Sequence, residues 1–222
     1  MNILAISVHP DDETLGCGGT LLRHLAEGDK IHWVIATQAH PPQWSQEVID
    51  RKAAEVEAVA KAYSMQSLHK LGLPTTRLDT LPLGEVINGL RKVIEQVSPG
   101  VVYLPHHGDV HTDHHVVFQA TFSVLKAFYM RTLGVRRVLS YETLSSTEAA
   151  APLAFRAFVP NVYSDTTPHL DRKIEIMGLY ASECQPDPLP RGPAAIRALA
   201  RFRGATVGVE YAEAFMLVRE VL

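Results

Sequence analysis

The chain has little cysteine and no long apolar run. Its 222 residues include only Cys17 and Cys184, which are too few for a disulfide scaffold and form no spaced metal-binding pattern. No apolar stretch approaches the roughly 20 residues that a membrane span requires. The N-terminus lacks the basic region and the small-residue cleavage site of a secretory signal. We therefore expect a protein of the reducing cytoplasm that has no membrane partner.

The chain also has little net charge. Its 21 basic and 24 acidic residues give a formal charge of −3, and no basic cluster is interleaved with aromatic side chains. This composition argues against nucleic acid as a partner. Apolar residues make up 46% and charged residues 20%, as in ordinary globular proteins. The length suits one packed domain, so we expect a single domain over residues 1–222.

Apolar runs alternate with helical patterns, which predicts an α/β fold with a mostly parallel sheet and helices on both faces. The predicted strands are Asn2–Val8, Ile31–Thr37, Ser67–Leu71, Val101–Leu104, Val138–Tyr141, an extended segment at Phe158–Ser164, and Ala214–Val221. The predicted helices are one ending near Gly28, then Gln46–Ser64 with Ser45 as N-cap, Leu83–Val97, Thr112–Arg131, Leu170–Ala181 and Pro193–Arg203. Doubly wound sheets often order their first four strands 3-2-1-4, so the first and fourth should be neighbours.

Three glycines follow the first predicted strand closely. Gly16, Gly18 and Gly19 predict a tight turn that leads into the first helix. Their spacing is not that of a dinucleotide-binding fingerprint, so a phosphate-binding role is not expected.

Two polar clusters follow the first and fourth predicted strands. The first is His9–Glu13, and the second is His106–His115, which holds five of the 11 histidines. In an open α/β sheet, the ligand crevice lies at the carboxyl ends of the strands. Two clusters about a hundred residues apart in sequence should therefore face one another across a single crevice.

The residue types in these clusters favour a metal site with hydrolytic chemistry. His9 and Asp12 can turn to the same side, because Pro10 restricts the intervening backbone, and His114 would complete three ligands. A catalytic zinc commonly has three protein ligands and leaves one position for water. Asp11, adjacent but not a ligand, is the candidate general base.

Two further residues are candidates for the catalytic machinery. His111 should face the other side of the substrate, where an imidazolium could stabilise a tetrahedral oxyanion or protonate a departing amine. Asp113 is expected to hold the orientation of that imidazole, as a carboxylate does for the catalytic histidine of other hydrolases.

The segments Val8–Glu13 and His111–His114 resemble the signature pair of the PIG-L/LmbE-like zinc-dependent N-deacetylases. The resemblance implies a Rossmann-like α/β fold and hydrolysis of the acetamide of an amino sugar, free, nucleotide-linked or within a glycoconjugate. It implies Zn²⁺, or another divalent metal such as Fe²⁺, as cofactor. The implied ligands are His9, Asp12 and His114, and the implied catalytic residues are Asp11, His111 and Asp113. Later segments that resemble members acting in bacterial sugar pathways include Tyr141-Glu142, Lys173, Tyr180–Glu183, Pro190-Arg191 and Ala212–Phe215.

The sequence departs from the family pattern at three positions. Lys52 stands three residues before Glu55, where the family often has arginine, and His115 stands where arginine commonly follows the Asp-His pair. Gly192 follows Pro190-Arg191 in place of serine. Because lysine does not reproduce the bidentate geometry of arginine, these positions bear on substrate choice.

Two other functions remain open at this point. One is a metal amidase that acts on an acylated amine other than a sugar. The other is a sugar-binding module that kept the fold without the activity, although intact Asp11 and His111 argue against it. The oligomeric state is also open, with a homo-oligomer among the expectations.

Overall fold

A computed structural model describes all 222 residues and contains one seven-stranded sheet. The strands are β1 (Asn2–Ser7), β2 (Lys30–Gln38), β3 (Ser67–Pro74), β4 (Val101–Pro105), β5 (Arg137–Tyr141), β6 (Val162–Asp165) and β7 (Ala212–Glu220). Their order across the sheet is β3-β2-β1-β4-β5-β7-β6. The first five strands pair in parallel, whereas β7 runs antiparallel to both β5 and β6. The predicted α/β class and the predicted adjacency of the first and fourth strands are confirmed.

Helices cover both faces of this sheet. They are α1 (Asp12–Ala26), α2 (Gln46–Ala62), α3 (Leu83–Val97), α4 (Thr112–Val124), α5 (Ala127–Met130), α6 (Leu170–Met177) and α7 (Pro193–Val207). None of them combines the length and the apolar character that crossing a bilayer requires. The predicted N-cap of α2 is confirmed, because the side chain of Ser45 accepts a hydrogen bond from the Val48 amide.

The central strand β1 shows how the sheet separates two apolar cores. Successive side chains of a strand point to opposite faces, so Ile3 and Ala5 enter one core while Leu4 and Ile6 enter the other. All four are fully buried. Such burial on both faces requires a continuous apolar run, which is the pattern of the first strand in the sequence.

The glycine-rich segment is not the turn that the sequence predicts. Gly16, Gly18 and Gly19 lie inside α1, which begins at Asp12. A Cβ atom at Gly16 would overlap the ring of Tyr141, and one at Gly18 would overlap the Tyr63 hydroxyl. These glycines therefore allow close packing of the helix rather than a change of chain direction.

The predicted helix Thr112–Arg131 is also corrected, because it breaks into α4 and α5. Leu125 leaves the helical conformation, with φ of −89° and ψ of 46°. Its carbonyl oxygen accepts a hydrogen bond of 2.6 Å from Arg219 Nη1 on β7, which replaces a partner within the helix. The remaining predicted elements begin and end within a few residues of the observed ones.

A buried ion pair links α1 to α6 and to β7. Lys173 Nζ on α6 donates to Glu213 Oε1 on β7 at 2.7 Å and to the Leu15 carbonyl at 2.8 Å. Glu213 also accepts from the amides of Gly19 and Thr20, at 2.8 and 2.7 Å. Because α1 begins at Asp12, this pair supports the helix that presents the first polar cluster.

We expect Lys173→Met to destabilise the fold strongly, because it leaves the Glu213 carboxylate buried without a cation. Loss of one partner of a buried pair costs about 3–5 kcal/mol. The free energy of unfolding from urea denaturation measures the effect, with the exposed Lys61→Met as the matched control, expected within about 0.5 kcal/mol of the unmodified protein. A loss below about 1 kcal/mol for Lys173→Met would show that the pair does not support the fold.

Candidate metal centre

The two polar clusters meet at one edge of the sheet. Ala5 on β1 pairs with Tyr103 on β4, so the segments that follow these strands leave the sheet side by side. A cavity of about 380 Å³ opens there, within the volume range of small-molecule sites. The candidate residues that line it are His9, Asp11, Asp12, His111 and His114.

Three side-chain atoms converge at the base of the cavity. His114 Nε2 lies 3.4 Å from His9 Nδ1 and 3.4 Å from Asp12 Oδ2, and His9 Nδ1 lies 3.9 Å from the same carboxylate oxygen. Asp12 is held in place by the amides of Val8 and His9, which donate to Oδ2 at 2.9 and 2.8 Å. The three predicted ligands are therefore brought together.

The far nitrogen of each imidazole contacts a buried carboxylate. His9 Nε2 lies 3.3 Å from Asp113 Oδ2, and His114 Nδ1 lies 3.3 Å from Asp109 Oδ2. A carboxylate behind a histidine fixes the hydrogen on the nitrogen that faces it. With the ring hydrogens on the far nitrogens, both near nitrogens face the Asp12 oxygen as acceptors.

This donor set fits a divalent cation. Ligand atoms bonded to zinc at about 2.0–2.2 Å in a tetrahedron are about 3.3–3.6 Å apart, close to the 3.4, 3.4 and 3.9 Å found here. Two imidazoles and one carboxylate are ligands that zinc accepts, and iron, manganese and cobalt accept them too. Converging acceptors without a donor are unfavourable unless a cation or protons separate them.

His111 offers a second possible ligand set. One ligand atom from each of His9, His111 and His114 lies within 4.8 Å of the others, and the His9 and His111 ring centroids are 4.3 Å apart. His111 Nδ1, however, accepts a hydrogen bond from the Asp113 amide at 3.2 Å, which leaves the hydrogen of the neutral ring on Nε2. Burial, together with His9 and His114, lowers the pKa of His111 to about 4.

The role predicted for Asp113 needs correction. Its carboxylate contacts His9 and accepts hydrogen bonds from the amides of Thr76 and Leu78, at 2.7 and 3.1 Å. Only its backbone amide reaches His111. Because the side chain points away from α4 toward the segment after β3, Asp113 orients the candidate ligand His9 and not His111.

Asp11 occupies a strained position beside the candidate ligands. Its φ of 115° lies in the left-handed region, which costs about 1–3 kcal/mol for a residue other than glycine. Its Oδ2 accepts a hydrogen bond of 3.1 Å from Arg191 Nη1. Burial, reinforced by Asp12 and Glu183, raises the pKa of Asp11 well above its usual value, and Arg191 opposes the shift. Such a carboxylate binds a proton more strongly than an exposed aspartate does.

Asp109 is a site residue that the sequence does not predict. It is fully buried, and its Oδ2 accepts hydrogen bonds from the hydroxyls of Ser146 and Thr147, both at 2.7 Å. Although burial opposes ionisation, the contact with His114 and these hydrogen bonds lower the pKa of Asp109. The position of Asp109 in the histidine-rich loop is the one sequence feature that indicates a role in the site. Its hydrogen-bond partner Ser146 lies 37 residues away in sequence, so no local pattern connects the two.

We expect Asp109→Asn to weaken divalent-ion binding by about 10- to 100-fold, because loss of an outer carboxylate typically costs that much affinity. Isothermal titration of the metal-free protein with Zn²⁺ measures the change. Asp79→Asn, at an exposed position, is the matched control and should bind the ion with unchanged affinity. Equal affinities for the two variants would exclude Asp109 from the support of the site.

Comparisons with known proteins point to one family. Residues 4–125, more than half of the chain, match the sequence model of the PIG-L family, described as GlcNAc-PI de-N-acetylase. The Uncharacterized deacetylase YaiS of Escherichia coli is 31% identical over 166 residues, which cover 72% of this chain and 80% of that protein. The Diacetylchitobiose deacetylase of Thermococcus kodakarensis is 24% identical over 227 residues, with 97% and 82% covered.

A solved structure shares the whole fold. The conserved protein TT1542 from Thermus thermophilus superposes with a TM-score of 0.77 at 25% sequence identity, over 99% of this chain and 96% of that chain. The family match itself spans β1 to α4 and therefore includes both polar clusters.

Proposed function

The chain belongs to the PIG-L family, and from this premise we propose that it is a metal-dependent deacetylase of acetylated amino sugars. The reaction is hydrolysis of the acetamide, which releases acetate and a free amine on an N-acetylglucosamine-type sugar. The observation that carries the proposal is the convergence of His9 Nδ1, Asp12 Oδ2 and His114 Nε2 beside the unliganded carboxylate of Asp11.

His9, Asp12 and His114 would hold the metal, and we assign Zn²⁺ to it as the ion that this donor set and the spacing of its atoms suit best. The bound ion supplies Lewis-acid polarisation of the amide carbonyl and of the attacking water. Asp113 and Asp109 keep the two histidines in the tautomers that present their near nitrogens. The ligand side chains are thus preorganised before substrate enters.

Asp11 accepts the proton from the attacking water at its carboxylate and later delivers it to the departing amine. Its Oδ2 is held by Arg191, which fixes the orientation of the carboxylate in the cavity. Because the Asp11 carboxylate is buried and hydrogen-bonded to Arg191, it can both accept this proton and release it again.

His111 stabilises the oxyanion that develops on the amide carbonyl. The Asp113 amide donates a hydrogen bond to His111 Nδ1. In the neutral ring the hydrogen is therefore on Nε2, which donates a hydrogen bond to the developing oxyanion. This role replaces the imidazolium expected from the sequence, and one such donor typically contributes about 10²- to 10³-fold in rate.

Acetate release from N-acetylglucosamine and its glycosides by the zinc-loaded protein tests the proposal. Mass spectrometry should find products lighter by one acetyl group, and a chelator should abolish their formation. A zinc-loaded, folded protein that releases no acetate from any acetylated hexosamine would contradict the proposal.

The same assay separates the alternatives. Acetylated amino acids or polyamines as the better substrates would indicate an amidase for amines other than sugars. Binding of the glycosides without any acetate release would indicate a module that binds and does not hydrolyse. We place the protein in the cytoplasm, with a small acetylated sugar as its partner.

A further inference from the structure

We propose that Trp44 and one face of α2 form a subsite for an apolar or aromatic aglycone on the acetylated sugar. This substrate class rests on the deacetylase function proposed above. The subsite also makes the proposed function more specific, because it determines which group attached to the amino sugar is bound.

Trp44 lies in the cavity wall at the end of a well-anchored loop. It is half-buried and lines the cavity that holds the candidate ligands. His40 Nε2, at the start of the loop, bonds to the Gly72 carbonyl at 3.0 Å. Ser45 caps α2 at its end, and the Trp44 amide donates to the His40 carbonyl at 3.3 Å. The backbone that carries the indole is therefore anchored before a ligand binds, which lowers the entropy cost of ordering this loop on binding.

The helix face beside Trp44 continues the apolar wall. Ile49, Ala53 and Val56 line the same cavity and follow one another at i, i+4 and i+7, which places them on one face of α2. Trp44 and Ile49 also occupy the N′ and N4 positions of the helix, the pair that packs in a hydrophobic staple. These side chains offer no hydrogen-bond partner for the hydroxyls of a second sugar, apart from the single indole N–H.

The cations of the cavity are already paired. Glu183 accepts Arg191 Nη1 on one oxygen at 2.7 Å and Lys52 Nζ on the other. Lys70 Nζ bonds to Glu57 Oε1 at 2.7 Å. Lys52 stands where the family often has arginine. Its ammonium forms an ion pair with Glu183 of the same chain.

An anionic carrier would thus have to compete with these carboxylates for Lys52, Lys70 or Arg191. An apolar ring meets no such competition when it buries its face against Trp44 and the α2 side chains. Contact with an aromatic ring and the burial of its face together favour such a substrate by about tenfold over one without the ring.

The two tryptophans of the chain allow a binding test that does not depend on turnover. Trp33 is fully buried and donates to Ser7 Oγ, so a change of fluorescence on titration reports Trp44. The zinc-loaded protein is titrated with phenyl and methyl N-acetyl-β-glucosaminide, with diacetylchitobiose and with UDP-N-acetylglucosamine. We expect the phenyl glycoside to bind about tenfold more tightly than the methyl glycoside and more tightly than the other two.

Variants then assign the effect to the indole. Trp44→Ala should remove the tenfold preference, Trp44→Phe should restore most of it, and the neighbouring exposed Gln43→Ala should leave it unchanged. Equal affinities for the phenyl and methyl glycosides, or a preference for the disaccharide or the nucleotide sugar, would overturn the subsite. Failure of the proposed function is distinct, because it appears as absence of acetate release whatever the order of affinities.

Discussion

Asp11→Asn is expected to retain the metal and to lose about 10²- to 10⁴-fold in kcat, the usual range for removal of a general base. The amide cannot accept the proton of the attacking water, yet it is close in size to the carboxylate. Zinc titration should give an unchanged stoichiometry, because Asp11 is not among the three converging ligand atoms. Initial rates of acetate release measure the loss.

The control for this prediction is Asp79→Asn, which changes the same functional group at an exposed position. Its kcat should match that of the unmodified protein. A value of kcat for Asp11→Asn above about a tenth of normal would show that another group accepts the proton. Loss of zinc from this variant would instead make Asp11 a ligand.

His114→Ala is expected to abolish both metal binding and turnover. Its imidazole contributes the atom nearest to both other candidate ligands, and its removal leaves Asp12 and Asp109 facing an empty space. We therefore expect a larger loss of zinc affinity than the roughly 10- to 100-fold expected for Asp109→Asn. Measurement of bound zinc per chain after dialysis tests this directly.

His107→Ala is the matched histidine control, since its side chain is exposed and bonds only to the Phe155 carbonyl. It should retain zinc and acetate release. Stoichiometric zinc in His114→Ala would show that the ion binds without this residue. It would exclude both candidate ligand sets, because the alternative set of His9, His111 and His114 also includes it.

The sequence predicts that the two polar clusters meet because their convergence depends on strand order. Clusters after the first and fourth strands must face one another once β1 and β4 pair, whatever the details of the helices. This is why the sequence alone places His9, Asp12 and His114 at one edge of the sheet. The 3-2-1-4 order and the polarity of parallel strands bring the clusters together, whereas the choice of these three residues depends on ligand chemistry and on the resemblance to the family motif.

The supporting residues could not be predicted in the same way. Asp113 belongs to the same short motif as His111, yet its rotamer directs the carboxylate to His9, and sequence adjacency does not indicate a rotamer. Asp109 depends on hydroxyls from the segment after β5, which no local pattern connects to it. Contacts between distant loops are set by tertiary packing and not by periodicity.

The two wrong predictions about helices also involve contacts between residues far apart in sequence. The break between α4 and α5 depends on Arg219, a residue of the last strand that bonds to the Leu125 carbonyl. The glycines of α1 predict a turn because glycine is common in turns, whereas in the fold they make room for the Tyr141 and Tyr63 side chains. In the first case a distant side chain accounts for the break, and in the second distant side chains account for the use of glycine and not for the helix.

Zinc-edge anomalous diffraction from crystals of the zinc-loaded protein tests the metal site most directly. We expect one ion per chain, bonded to His9 Nδ1, Asp12 Oδ2 and His114 Nε2, with His111 and Asp11 outside bonding distance. An ion bonded to His111 in place of Asp12, or an ion located away from these three atoms, would contradict the proposed centre.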